Sequence, residues 1–224
     1  MRLPSLAVAA SAALLLTACG GDAGSRSPLD GLSGTEVADA AADALEEAGA
    51  VHVRGAMSQD GTEAEIDMQL QGEDAAGSLS VDGTELELVL VDGAQYLRAA
   101  AEFWAASGIP QQVAASLGGQ WVVVPGGSED FADLTLAGIA DSLRNPDTPV
   151  AEEVREDELD GQDVVVVQQE DGSELFVADD DPSYPLQITD ADGGSGTLTF
   201  SGFGEEQDIT APEGALDLAE LGAG

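Results

Sequence analysis

Cys19 and His52 are the only cysteine and the only histidine of this chain, and each bounds a class of chemistry. A Ser-His-Asp hydrolase would have to use His52. It stands between Val51 and Val53 in an alternating stretch that turns its side chain to solvent. No Gly-x-Ser-x-Gly elbow presents a serine nucleophile. Without a second thiol or imidazole, a thiol enzyme and a His-rich zinc site are excluded. The carboxylates suggest calcium at Asp190-Ala191-Asp192, but an EF-hand loop starting there has Ser195 at its sixth position and Ser201 at its twelfth. Those places require Gly and Glu. Asp179-Asp180-Asp181 reads as a solvated turn, open at most to weak cation association. The expectation is a protein that is not an enzyme and has no cofactor.

The chemistry of Cys19 lies in its surroundings. Arg2 is followed by an apolar run from Leu6 to Leu16, then by Thr17, Ala18 and Cys19. A charged start, a short apolar core and a small-residue cut define a secretory signal. The core is too short to cross a bilayer, which takes about 20 apolar residues. Leu16-Thr17-Ala18-Cys19 resembles the lipobox of bacterial lipoproteins. That resemblance implies a diacylglycerol on the Cys19 thiol, cleavage before Cys19 and acylation of the new amine. Two or more acyl chains hold a protein stably at a membrane, whereas one does so marginally. The domain division follows: 1–18 signal peptide, 19–34 lipidated cysteine and flexible tether, and 35–224 one folded domain. The expected location is the extracytoplasmic face of the cell membrane, with the lipid on Cys19 as the link.

The charge narrows the partners. The chain has 44 Asp and Glu against 6 Arg, no Lys, and a formal net charge of −38. Nucleic acid is excluded, since it is bound by a basic footprint. An anionic membrane surface repels the domain, so the lipid must hold it there. Abundant Ala, Gly and Asp without Lys fit a high-GC actinobacterial genome, or a salt-loving source. The chain is expected to be a monomer.

The elements come next. Ser33 and Glu36 have capping-box spacing, Val37, Ala40, Ala41, Ala44, Leu45 and Ala48 share a face, and Gly49 ends the helix. The period then becomes two. Ala64, Ile66, Met68 and Leu70 alternate with acids and amides, and Leu79, Val81, Leu86, Leu88 and Leu90 continue the pattern. Asp-Gly pairs at 60–61, 82–83, 92–93, 160–161 and 171–172 mark hairpin turns. Residues 99–117 read as two short helices broken at Gly108-Ile109-Pro110, Trp121–Val124 as a strand, and 131–144 as a helix ended by Asn145-Pro146. Strands resume at Val164–Val167, Leu175–Val177, Leu186–Ile188 and Leu198–Phe200, and Leu216, Leu218 and Leu221 form a weak terminal helix. Strands, inserted helices and strands again predict an α+β fold: a curved antiparallel β half-barrel with helices packed on its concave side.

The middle of the chain carries a further resemblance. Asp92-Gly-Ala-Gln-Tyr-Leu-Arg98, Phe103-Trp104, Gly119-Gln-Trp-Val-Val-Val-Pro125 and Phe131-Ala-Asp-Leu-Thr-Leu136 resemble the LppX/LprG-type lipoproteins of actinobacteria. The order of lipobox, helix, meander, helical insertion and second meander agrees over nearly the whole mature chain. The resemblance implies a LolA-like fold, an open half-barrel with helices as a lid over an apolar cavity. It also implies, for some members, an acylated lipid or glycolipid as ligand. This chain departs from the family in its acidity and its alanine-rich first helix.

The cavity candidates are therefore Ile66, Met68, Leu70, Leu79, Val81, Leu86 and Leu88 on the strands, with Tyr96, Phe103 and Trp104 at the mouth. Trp121 and Phe131 are expected in the core. An envelope module that binds another protein and no lipid has the same composition. A cavity above about 300 Å³ favours the lipid reading, and a filled core with an exposed apolar patch favours the other.

Overall fold

The computed structural model describes residues 27–59, 62–124, 134–190 and 196–221. Cys19 and the export segment, the Asp60-Gly61 turn, Pro125, Phe131 and the 191–195 stretch lie outside the described residues.

The first helix, α1 (Gly34–Ala48), begins and ends where its sequence signals stand. The Ser33 amide donates to Glu36 Oε2 at 2.9 Å and the Glu36 amide to Ser33 Oγ at 3.4 Å. Gly49 closes the helix at φ 72°. The chain joins the core before that helix, because Leu29 is 2% exposed and packs with it. The tether expected over 19–34 therefore ends short of Leu29.

A meander follows: β1 (Ala50–Gln59), β2 (Thr62–Gln71), β3 (Asp74–Val81), β4 (Thr84–Val91) and β5 (Ala94–Ala99). The Asp82-Gly83 and Asp92-Gly93 turns have positive φ at both residues, as tight hairpins need. The helices α2 (Ala101–Ala106) and α3 (Gln111–Leu117), the short strand β6 (Trp121–Val123) and the helix α4 (Leu136–Arg144) form the insertion. Within the described residues α4 is capped by Thr135, whose Oγ1 accepts from the Gly138 amide at 3.1 Å. The second meander is β7 (Arg155–Leu159), β8 (Gln162–Gln168), β9 (Glu174–Ala178), β10 (Pro185–Thr189) and β11 (Thr197–Ser201). A two-residue strand β12 (Leu216–Asp217) and one helical turn α5 (Leu218–Leu221) end it, where a helix alone was expected.

These strands form one open sheet of 12, in the order β12-β6-β5-β4-β3-β2-β1-β11-β10-β9-β8-β7. Every pairing is antiparallel except β12 on β6. The architecture is thus α+β, and β1 beside β11 joins the two meanders into one sheet. Rows of residues across the strands define its faces. Val51–Leu70–Ala75–Leu90 and Phe200–Val53–Met68–Gly77–Leu88–Leu97–Val122 are inner rows. They pack with Val37, Ala41, Leu45, Trp104, Ala114, Leu117, Ala140 and Leu143 of the helices in one core. Arg144 ties α4 to α1 through Asp43 at 2.6 Å and Glu46 at 2.5 Å.

The tail crosses the other face. It leaves β11 and rejoins the sheet at β6, with five strands between. On the way Gln71 clasps the backbone of Gln207, donating to its carbonyl at 2.9 Å and accepting from its amide at 2.8 Å. Gln69 donates to the Glu205 carbonyl at 2.9 Å. Phe203 stacks on Tyr184 at 4.0 Å between ring centroids.

Candidate functional site

The inner face is closed at one end of the strands and open at the other. The two inner rows given above are buried except at the half-buried Gly77, with Leu70, Met68 and Leu88 all at 0% exposure. The next row, Leu198–Gly55–Ile66–Leu79–Leu86, is only half-buried up to Leu86. The last, Ala64–Val81–Thr84, ends in water, with Val81 39% exposed. The α2 helix has 6 residues and α3 has 7, about 9–10 Å each, whereas the eight-residue β4 runs about 26 Å.

At the open end lies a cleft of about 890 Å³. Its walls are Thr84 and Leu86 of β4, Ala99 at the end of β5, and Phe103 and Ala106 of α2. A second cleft, of about 600 Å³, shares Glu85, Leu86 and Glu87 with it but lies mostly on the outer face, where Arg54, Glu65, Asp67, Ser78 and Ser80 line it. The polar part of the first wall is acidic: Glu85, Glu87 and Glu102 stand there with Arg98. Arg98 is itself held by Glu87 and lies over the Trp121 ring, 4.9 Å from its centroid. The first cleft can accept an apolar chain, and its polar margin disfavours an anionic group.

The ten cavity candidates divide. Leu86 and Phe103 line the first cleft, and Ile66 and Leu79 are half-buried in the inner row that ends at Leu86. Met68, Leu70, Leu88 and Trp104 sit in the packed core instead. Val81 stands at the exposed rim and not on a buried surface. Tyr96 is turned to the outer face: it pairs with Val89 and Val123, one residue out of step with the inner-row Leu97. A shift of one residue reverses the side of a strand, and the middle block offered no reference for which parity was inner. Trp121, expected in the core, is likewise on the outer face, opposite Arg98. The wall residues Thr84, Ala99, Glu102 and Ala106 were not singled out from the sequence. The parity of β4 from the Asp82-Gly83 turn could have found Thr84; the others depend on where α2 settles.

Phe103 also reaches inward. It meets Trp104 edge-on, with centroids 5.2 Å apart and planes at 78°. Trp104 Nε1 and Gln95 Oε1 are buried without hydrogen-bond partners, a donor and an acceptor left on the inner side. Each such atom costs stability, and each would be satisfied by a ligand or water that reached it.

His52 lies on the outer face, half-buried, with Nε2 2.7 Å from Asp67 Oδ1. Arg54 takes the other oxygen of that carboxylate at 2.8 Å. The hydrogen bond from His52, and then the charge of Arg54, hold Asp67 below the usual carboxylate range. Asp67 thus takes a hydrogen bond from His52 on one oxygen and an ion pair with Arg54 on the other. Among the described residues no group of His, Cys, Asp and Glu could hold a metal ion, and no helix is long and apolar enough to cross a membrane. No family model and no curated protein matches this chain.

Proposed function

We propose that this chain is an exported lipoprotein, anchored through Cys19 at the extracytoplasmic face of the membrane, that binds acyl chains or similar apolar ligands. It is non-enzymatic. Its sheet is a LolA-like half-barrel with the helices on the concave side, as in the LppX/LprG-type lipoproteins it resembles. The observation that carries the reading is the inner face that opens along its length, from Leu88 at 0% exposure to Val81 at 39%. The open cleft of about 890 Å³ has the size an acyl chain needs, with Leu86, Ala99, Phe103 and Ala106 as its apolar wall. The lipobox-like Leu16-Thr17-Ala18-Cys19 supports the anchor.

Native mass spectrometry with lipid extraction, on protein purified from its native membrane, tests the ligand. Apolar molecules should co-purify and leave on extraction. Protein that carries none, and that fails to bind a fluorescent acyl probe, rejects the reading. The second reading is an envelope module that binds another protein and no lipid; it needs an exposed apolar patch, and among the described residues Val81 is the large hydrophobic that stands exposed. Under that reading the probe does not bind. For the anchor, Cys19→Ala should give an unprocessed precursor or release the protein from the membrane. A variant processed and fractionated like the parent rejects the anchor.

A further inference from the structure

We infer that the cleft opens away from the membrane that anchors the chain, so that its ligand arrives from the envelope side and not directly from the anchoring leaflet. The inference rests on the proposed Cys19 anchor and on the cleft as the ligand site.

The folded part of the chain begins at a defined place. Ser27 Oγ donates to Asp179 Oδ1, and Leu29 is buried two residues later. Asp179 follows the end of β9, and its amide donates to the Asp163 carbonyl at 3.0 Å, beside the Asp160-Gly161 turn. The attachment point is therefore at one end of β8 and β9.

The register carries that end across the sheet. One inner row runs Leu175–Ile188–Leu198–Gly55–Ile66–Leu79–Leu86. From this row, the direction along β9 toward Asp179 is the direction along β4 toward Val91 and the Asp92-Gly93 turn. The opposite direction along β4 leads to Thr84 and the Asp82-Gly83 turn, where the cleft lies. Attachment and cleft are at opposite ends of the strands. The eight-residue β4 by itself runs about 26 Å from one end to the other.

The connection to the membrane, even fully extended, is no longer than that strand. Residues 20–26 lie between Cys19 and Ser27. Fully extended, at about 3.3–3.6 Å each, they reach at most roughly 25 Å. Bringing the cleft to the bilayer would mean inverting the domain and using the whole of that reach. Electrostatics opposes the inversion as well. It would press Glu85 and Glu102, in a chain of net charge −38, onto a layer of anionic headgroups.

The test uses the full chain, processed in a lipoprotein-exporting host and reconstituted in vesicles that carry a headgroup quencher. Cys19 is the only native cysteine and is blocked by its lipid, so Gln162→Cys and Thr84→Cys each give one label site. Both positions are exposed, at opposite ends of the sheet. The expected result is a quenched dye at position 162 and an unquenched dye at position 84. Quenching at 84 equal to or stronger than at 162 overturns the inference while leaving the anchor intact. Chain that does not partition with the vesicles overturns the anchor reading and this inference with it. Acyl-probe binding is measured in parallel on both labelled proteins: a dye at position 84 stands in the cleft wall and should block the probe, and a dye at position 162 should not. Loss of binding at 162 with binding kept at 84 rejects the cleft as the ligand site.

Discussion

His52 on β1 and Asp67 on β2 are diagonal neighbours, since His52 pairs with Gln69 and Arg54 with Asp67, and their side chains meet at 2.7 Å. Asp67 is held below the usual carboxylate range by that contact. A carboxyl with a lowered value in the folded state adds stability above its ordinary value of about 3.9, and loses it as pH falls through the lowered one. Because the pair is partly exposed, we expect Asp67→Asn to cost less than about 1 kcal/mol near neutral pH. The difference from the parent should vanish at the acid end. Melting temperature against pH for both proteins checks this; a penalty that stays constant into strong acid contradicts it.

Salt should stabilise the fold. The carboxylates outnumber the arginines 44 to 6, so their mutual repulsion disfavours the compact state and is screened by added ions. We expect the melting temperature to rise by at least about 4 °C between low and molar NaCl, equivalent to roughly 1–2 kcal/mol for a domain of this size. A flat profile would show that the acids are too dispersed to matter.

Leu79 and Leu88 share one alternation in the sequence and should respond in opposite ways to Phe. Leu88 is fully buried, so added bulk should cost about 1–3 kcal/mol through overpacking. Leu79 is only half-buried, in the inner row that leads to Leu86 of the first cleft, so a ring there has room that Leu88 lacks. Leu79→Phe should keep its melting temperature and weaken acyl-probe binding. Equal destabilisation of the two variants would mean that the cleft is filled in solution.

Gly55 lies where β1 and β11 approach most tightly. A Cβ there would stand 1.8 Å from the Thr197 carbonyl oxygen and 2.9 Å from Leu198 Cα, both backbone atoms. Gly55→Ala should therefore cost about 3 kcal/mol. Gly83, with φ 77° and open space around it, should cost only roughly 1 kcal/mol on the same change. Chemical denaturation of the two variants compares them; equal losses would remove the steric explanation.

Local signals in the sequence determined the local structure. The Ser33–Glu36 box and Gly49 bound α1, because capping atoms lie within a turn of the groups they satisfy. Asp-Gly at 82–83, 92–93 and 160–161 made hairpins, because few residue pairs tolerate two positive φ values in succession. Alternation placed Ile66, Met68, Leu70, Leu79, Leu86 and Leu88 on one face, as the rows show. The strand β7, Arg-Glu-Asp-Glu-Leu, left no such trace, because an exposed edge strand has no apolar period to display. Three features belonged to the tertiary structure alone. The pairing of β1 with β11 and the tail that crosses to β6 join residues far apart in sequence, and no short period encodes such a partner. The faces of Tyr96 and Trp121 followed from register, where a single residue decides the side. The boundary between core and cleft, with Leu88 sealed and Leu79 half-buried, depended on what the fold brings over each of them. A leucine's burial is set by what lies above it, and that neighbour is chosen only when the chain has folded.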